Sequence, residues 1–137
     1  MWKAPAEGGD AVQVTKGGGH VALESRDGKF VYYTKHRDMS SLYQAPAGGG
    51  EETKVLEAVT FLDFAAAEGG IYFIPAADES GRSSIYFLEL ATGKTTPVAR
   101  IDKPVSVGLT VSPDGRSILY SQIDQQGSDL MLVENFR

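Results

Sequence analysis

Ser112-Pro113-Asp114-Gly115-Arg116-Ser117-Ile118-Leu119-Tyr120 stands 87 residues after Ser25-Arg26-Asp27-Gly28-Lys29-Phe30-Val31-Tyr32-Tyr33 and repeats its plan. Each begins with Ser-x-Asp-Gly and runs into β-branched and aromatic residues. Asp bonds back to nearby backbone N–H groups, Gly supplies positive φ and Pro113 presets φ, so each stretch reads as a tight turn feeding a strand. Between them, Glu68-Gly69-Gly70-Ile71-Tyr72-Phe73 holds the same place with the Ser-x-Asp lost. A second landmark recurs in step. Trp2-Lys3-Ala4-Pro5-Ala6-Glu7-Gly8-Gly9 returns 41 residues later as Tyr43-Gln44-Ala45-Pro46-Ala47-Gly48-Gly49-Gly50. A looser copy, Tyr86 to Gly93, follows after 43 residues, and Met131-Leu132-Val133-Glu134 begins another after 45.

A period in the low forties is that of the four-stranded blades of a β-propeller. With strands labelled a to d from the inside of such a ring outward, the pattern predicts a at His20–Glu24, b at Lys29–Lys35, c at Ser41–Pro46 and d at Thr53–Glu57. The next blade is predicted at Phe61–Ala67, Gly70–Pro75, Ser84–Leu90 and Thr95–Arg100. The last has a at Val105–Ser112, b at Ser117–Gln122 and c at Asp129–Glu134, with no d. A c-like piece, Met1–Pro5, and a d-like piece, Ala11–Thr15, come first. The division is therefore 1–16 (strands c and d of an incomplete blade), 17–57, 58–103 and 104–137. Phe30-Val31-Tyr32-Tyr33 and Ile71-Tyr72-Phe73-Ile74 are apolar at successive positions, so both faces of the b strands are greasy. That suits a sheet sandwiched between two neighbours. The fold class expected is all-β, about three blades of four antiparallel strands per chain.

The chain has 137 residues, 42% hydrophobic and 23% charged, which allows one domain with a packed core. A net charge of −5 disfavours a binder of nucleic-acid backbones. Cysteine is absent, which excludes thiol chemistry and a disulfide framework. No apolar run has the length of a membrane-spanning helix, and Met1 to Val14 lacks the basic-then-apolar pattern of a signal peptide.

Ser112 to Ser121, with Ser128-Asp129-Leu130-Met131-Leu132-Val133 downstream, resembles the TolB-type, or PD40, WD40-like propeller repeat. The resemblance extends over the chain, although Arg26 stands where the pattern has Pro and the middle repeat lacks Ser-Pro-Asp. It implies a scaffold. Propellers of this kind commonly have six blades and occur in periplasmic binding components, in sensory regulators and in the gating domains of prolyl-oligopeptidase-like peptidases. A parent protein working outside the cytoplasm is compatible with that resemblance.

Chemistry is thinly represented. Ala91-Thr92-Gly93-Lys94-Thr95 imitates the end of a phosphate-binding loop, but Leu88 stands where the motif needs Gly and no helix is predicted after it. There is no Gly-x-Ser-x-Gly elbow. Only His20 and His36 are available as imidazoles. Asp63 and His20 are the one plausible inward pair for a metal-dependent propeller hydrolase. Asp78-Glu79-Ser80-Gly81 and Asp124-Gln125-Gln126-Gly127-Ser128-Asp129 are oxygen-rich loops short of the full alternating set for calcium, the only cofactor they suggest. The expected function is a non-catalytic binding or scaffold module, with a peptidase gate or a metal-dependent hydrolase as alternatives. In a propeller, the d-to-a and b-to-c connections share one end of the ring. That gathers His20, His36, Arg37, Asp38, Asp78, Glu79, Arg82, Lys103 and Asp124 as a candidate face for a protein or peptide partner.

Three blades are too few for a ring, because propellers typically have about four to eight. Two copies are therefore expected to close a six-bladed homodimer, with a nine-bladed trimer as the alternative. In that reading Ala11–Thr15 of one copy supplies the missing d strand of the other. Asp129–Glu134 takes the c position, and Met1–Lys3 is left frayed or on the rim with Trp2 partly exposed.

Overall fold

A computed structural model describes residues 1–125 and 127. It is all-β, and no helix occurs among the described residues. Among the described residues twelve strands form four antiparallel sheets. β1 (Trp2–Lys3) pairs with β2 (Val12–Gln13). A four-stranded meander follows in chain order: β3 (His20–Glu24), β4 (Phe30–Thr34), β5 (Ser40–Pro46) and β6 (Thr53–Val59). The second meander is β7 (Phe64–Ala67), β8 (Gly70–Phe73), β9 (Ser83–Glu89) and β10 (Thr95–Ile101). β11 (Val105–Val111) and β12 (Ile118–Gln122) close the series. The expected c strand at Asp129–Glu134 lies outside the described residues.

Strand alternation divides the core into three layers. On β4, Val31 and Tyr33 face the β1–β2 sheet with Val14, while Tyr32 and Phe30 face the second meander. On β8, Ile71 and Phe73 meet the first meander, whereas Tyr72 and the following Ile74 lie with Ile101, Leu109 and Ile118 toward the last sheet. Both faces of the middle sheets are therefore covered, as their unbroken apolar runs require. The inner strands converge: β3 touches β7 and β7 touches β11. Arg26 reaches past the second meander, its guanidinium donating to the backbone carbonyls of Ser112, at 2.9 Å, and of Pro113. Between the outer strands the middle sheets spread apart around a wedge of about 390 Å³ lined by Phe30, Tyr32, Lys54 and Leu88. The sheets thus fan from their inner strands, and the fan is open.

Strand bounds move by a residue or two at several ends, and three places merit a physical account. β7 starts at Phe64, not Phe61, because residues 60–63 make a turn in which Asp63 N–H donates to the Thr60 carbonyl and Leu62 takes φ 65°. β8 stops at Phe73, short of Pro75, although Ile74 N–H still donates to Asp63. Within the single chain Met1–Lys3 is tied down, whereas the frayed placement is an expectation for the assembled ring. The Met1 ammonium donates to the buried Thr15 hydroxyl at 2.7 Å, and Val14 N–H donates to the Met1 carbonyl at 3.0 Å.

Candidate functional site

The end of the fan where β4, β6, β8 and β10 finish carries the candidate residues. His20, His36, Arg37, Asp38, Asp78, Glu79, Arg82, Lys103 and Asp124 are all exposed there. The structure links some of them and leaves others apart. Lys103, before β11, donates to the Asp124 carboxylate beyond β12 at 2.6 Å, and this ammonium holds the Asp124 carboxyl below its usual range. Asp78 accepts from the Ser80 hydroxyl and from the backbone N–H groups of Ser80 and Arg82 at 2.5–2.9 Å. The Ser80 hydroxyl, followed by the Arg82 N–H, depresses the Asp78 carboxyl. Arg82 in turn donates to the Ser80 hydroxyl at 2.7 Å. Both ends of this segment therefore serve the loop's own shape, with Asp78 Oδ1 accepting all three of these bonds. No hydrogen bond joins His20, His36, Arg37, Asp38 or Glu79 to another member among the described residues.

Beneath these loops lies a cavity of about 210 Å³. It brings together Thr60 and Asp63 from the β6–β7 connection, Pro75, Ala77 and Gly81 from β8–β9, and Pro104 from β10–β11. Among the described residues Asp63 is its one ionisable wall residue, and it is 2% exposed. Burial pushes its carboxyl above the usual range, and the Gly108 N–H donated to it at 2.8 Å only partly opposes this. That bond, with Leu109 N–H donating to the Leu62 carbonyl at 3.3 Å, ties β11 to the β6–β7 turn. Asp63 thus acts as a clamp between sheets. Among the described residues no three His, Cys, Asp or Glu side chains converge as metal ligands would, with His20 and Asp63 included in that statement.

The opposite end holds the Ser-x-Asp-Gly turns. Ser112 donates to Asp114 at 2.6 Å, Asp114 accepts from Arg116 N–H, and Ser117 N–H donates to the Ser112 hydroxyl. Ser25, Asp27, Lys29 and Phe30 make the same three bonds. Gly28 and Gly115 supply φ of 70° and 73°. The serine hydroxyl is the main reason both aspartates are held below the usual carboxyl range. The phosphate-loop look-alike is likewise a hairpin turn. Gly93, φ 70°, closes it by donating to the Glu89 carbonyl at 2.8 Å.

Sequence reasoning missed one residue. Arg26 was a departure from the repeat, yet it is the side chain that bridges two turns across the fan. Its signal was a long cation at a turn position that accepts any residue. Trp2, expected in a c-like piece, does stand in a paired strand. No protein-family model matches the chain, and no curated protein or solved structure matches it either.

Proposed function

We propose that the chain is a non-catalytic β-propeller module of the TolB-type repeat, a scaffold presenting its loop end to a protein or peptide and closing a six-bladed ring as a homodimer. One observation carries the reading: the strand registers repeat with the sequence. Trp2↔Gln13, Tyr43↔Lys54 and Tyr86↔Pro97 are equivalent partners, and so are Lys3↔Val12, Gln44↔Thr53 and Phe87↔Thr96. Ala22↔Tyr33 and Leu109↔Tyr120 repeat in the same way. A fan of equivalent meanders whose inner strands converge is what a sector of a propeller requires. The polar, differing loops at one end suit recognition, because a rigid scaffold can vary its connections at little cost to its core.

Light scattering tests the closure. The expected mass is 29.4 kDa, twice the 14.7 kDa of the chain. A stable 14.7 kDa monomer overturns the ring. The binding end is tested by substituting Arg37, Asp78 and Arg82 together. A captured partner should bind more weakly to this variant, and a partner that instead follows changes at Asp27, Gly93 and Asp114 would place the contact at the other end.

A further inference from the structure

In each complete meander an aromatic side chain of the second strand stacks on one of the third. Tyr33 and Tyr43 have ring centroids 5.9 Å apart at 28°. Phe73 and Tyr86 repeat this at 5.8 Å and 29°. Both are directly opposed pairs in the ladders. By register, Tyr120 on β12 is the counterpart of Tyr33, and Trp2 on β1 is the counterpart of Tyr43. The two halves of a third stack therefore exist, at opposite ends of the fan. Trp2 is 67% exposed and Tyr120 39%, and Leu119 behind Tyr120 is 65% exposed. Among the described residues, β11–β12 has the registers of first and second strands without a third, and β1–β2 those of third and fourth strands without a second.

We infer that two copies close the ring through a composite four-stranded sheet, β11–β12 of one and β1–β2 of the other, with Trp2 stacked on Tyr120. This rests on the ring proposed above and names the strands and side chains that close it. Transferring the β4–β5 register sets Tyr120 opposite Trp2, Leu119 opposite Lys3 and Ile118 opposite Ala4. One face of the composite sheet continues the layer of Ile118 and Tyr120 over the second meander of the first copy. Its other face joins Leu119 to the layer of Met1 and Val14 over the first meander of the second copy. Both open ends of the fan are then covered, and the edge of β12 gains a backbone partner. A β1 that is already paired to β2 brings an aromatic ring and a fourth strand to this position together. In this arrangement β1, rather than Asp129–Glu134, takes the c position. A second copy fits both ends at once, and such a self-complementary contact closes under a two-fold axis.

The chain has no cysteine and one tryptophan, so both are clean probes. Lys3→Cys chains are mixed with Leu119→Cys chains and oxidised. Opposed Cα atoms about 4.5–5.5 Å apart in an antiparallel ladder fall within disulfide range. The expected product is a cross-linked pair that forms in the mixture and in neither variant alone. Lys3→Cys mixed with Thr110→Cys, one strand further in, should not cross-link. Diluting the unmodified protein should shift Trp2 emission to longer wavelength as mass falls, and Tyr120→Ala should shift that transition to at least tenfold higher protein concentration. A 29.4 kDa particle that gives no Lys3–Leu119 cross-link and no concentration-dependent Trp2 shift overturns the composite sheet while leaving a ring. A 14.7 kDa particle at all concentrations overturns both.

Discussion

The two middle sheets and the two end sheets are built on one register but differ in what covers them. In the middle, Tyr32 is 3% exposed, while its register counterpart Leu119 on β12 is 65% exposed. Tyr43 and Tyr86 lie against a neighbouring strand's ring, while Trp2 at the same position does not. Five of the nine large hydrophobic side chains exposed among the described residues, Trp2, Val12, Val107, Leu119 and Tyr120, belong to the end sheets. An equivalent register, then, specifies hydrogen bonding locally, whereas each sheet's burial depends on its neighbours.

The largest effect should separate middle from end. Tyr32→Ala is expected to cost about 3–5 kcal/mol in urea unfolding, as for a buried aromatic ring. Leu119→Ala, measured at concentrations below association, should stay within about 0.5 kcal/mol, the range for an exposed site. Equal losses would mean that Leu119 is covered within a single chain.

Glycines sharpen the same contrast. A Cβ on Gly70, inside the second meander, would stand 2.3 Å from both the Leu88 carbonyl oxygen and the Phe87 ring. Gly70→Ala should therefore cost about 1–3 kcal/mol through displaced backbone. Gly115, in the turn of the last sheet, has open space around it and φ 73°. Gly115→Ala should cost about 1 kcal/mol, from backbone strain alone. Thermal unfolding of the two variants side by side checks the order.

Aspartates provide a comparison of opposite sign. Asp63 titrates above its usual value in the folded state, so between that value and the unfolded one, about 3.9, the native state binds more protons. Its charge therefore opposes stability at neutral pH, and the opposition is relieved as pH falls through the folded value. Asp27 and Asp114 are depressed, so their contribution is present above about pH 4 and lost as pH falls through their folded values. Asp63→Asn keeps an acceptor for Gly108 N–H. The stability difference between wild type and this variant should move in favour of wild type as pH is lowered toward 4. Asp63→Ala, which orphans that N–H, should cost about 1–3 kcal/mol at pH 7. Urea titrations across pH measure both, and a difference that moves the other way would show that the Gly108 hydrogen bond outweighs burial at Asp63.

The smallest effect tests whether repeated turns are energetically repeated. Ser25→Ala and Ser112→Ala each remove a hydroxyl that donates to one Asp and accepts one backbone N–H. Each should cost about 0.5–1.5 kcal/mol, and the two losses should agree within about 0.5 kcal/mol. A larger loss at Ser112 would mark the Arg26 bridge as part of that turn's stability.

Much of this molecule was legible in the residues themselves. β3 matches its expected span, and the starts of β6, β8, β10 and β11 fall where the alternation and turn residues put them. The Ser-x-Asp-Gly bonds were readable because each lies within a few positions of chain, where side-chain chemistry and φ preferences act without help. The candidate loop end was readable only as a set of positions. Its members share an end of the fan, but Asp78 and Arg82 spend their polar atoms on their own loop, and sequence carries no sign of that. Asp63 was named for a metal, since a carboxylate near an inner strand looks the same in sequence whether it meets an ion or an N–H. What the sequence by itself determined is the repeat, the strand order within each meander and the turns, all short-range matters of periodicity and backbone chemistry. What only the tertiary structure decided is that Asp63 meets Gly108, that Arg26 spans to Ser112, and that Trp2 and Tyr120 are left apart. Those facts depend on how far the sheets are rotated against one another, which is set by packing between layers distant in the chain.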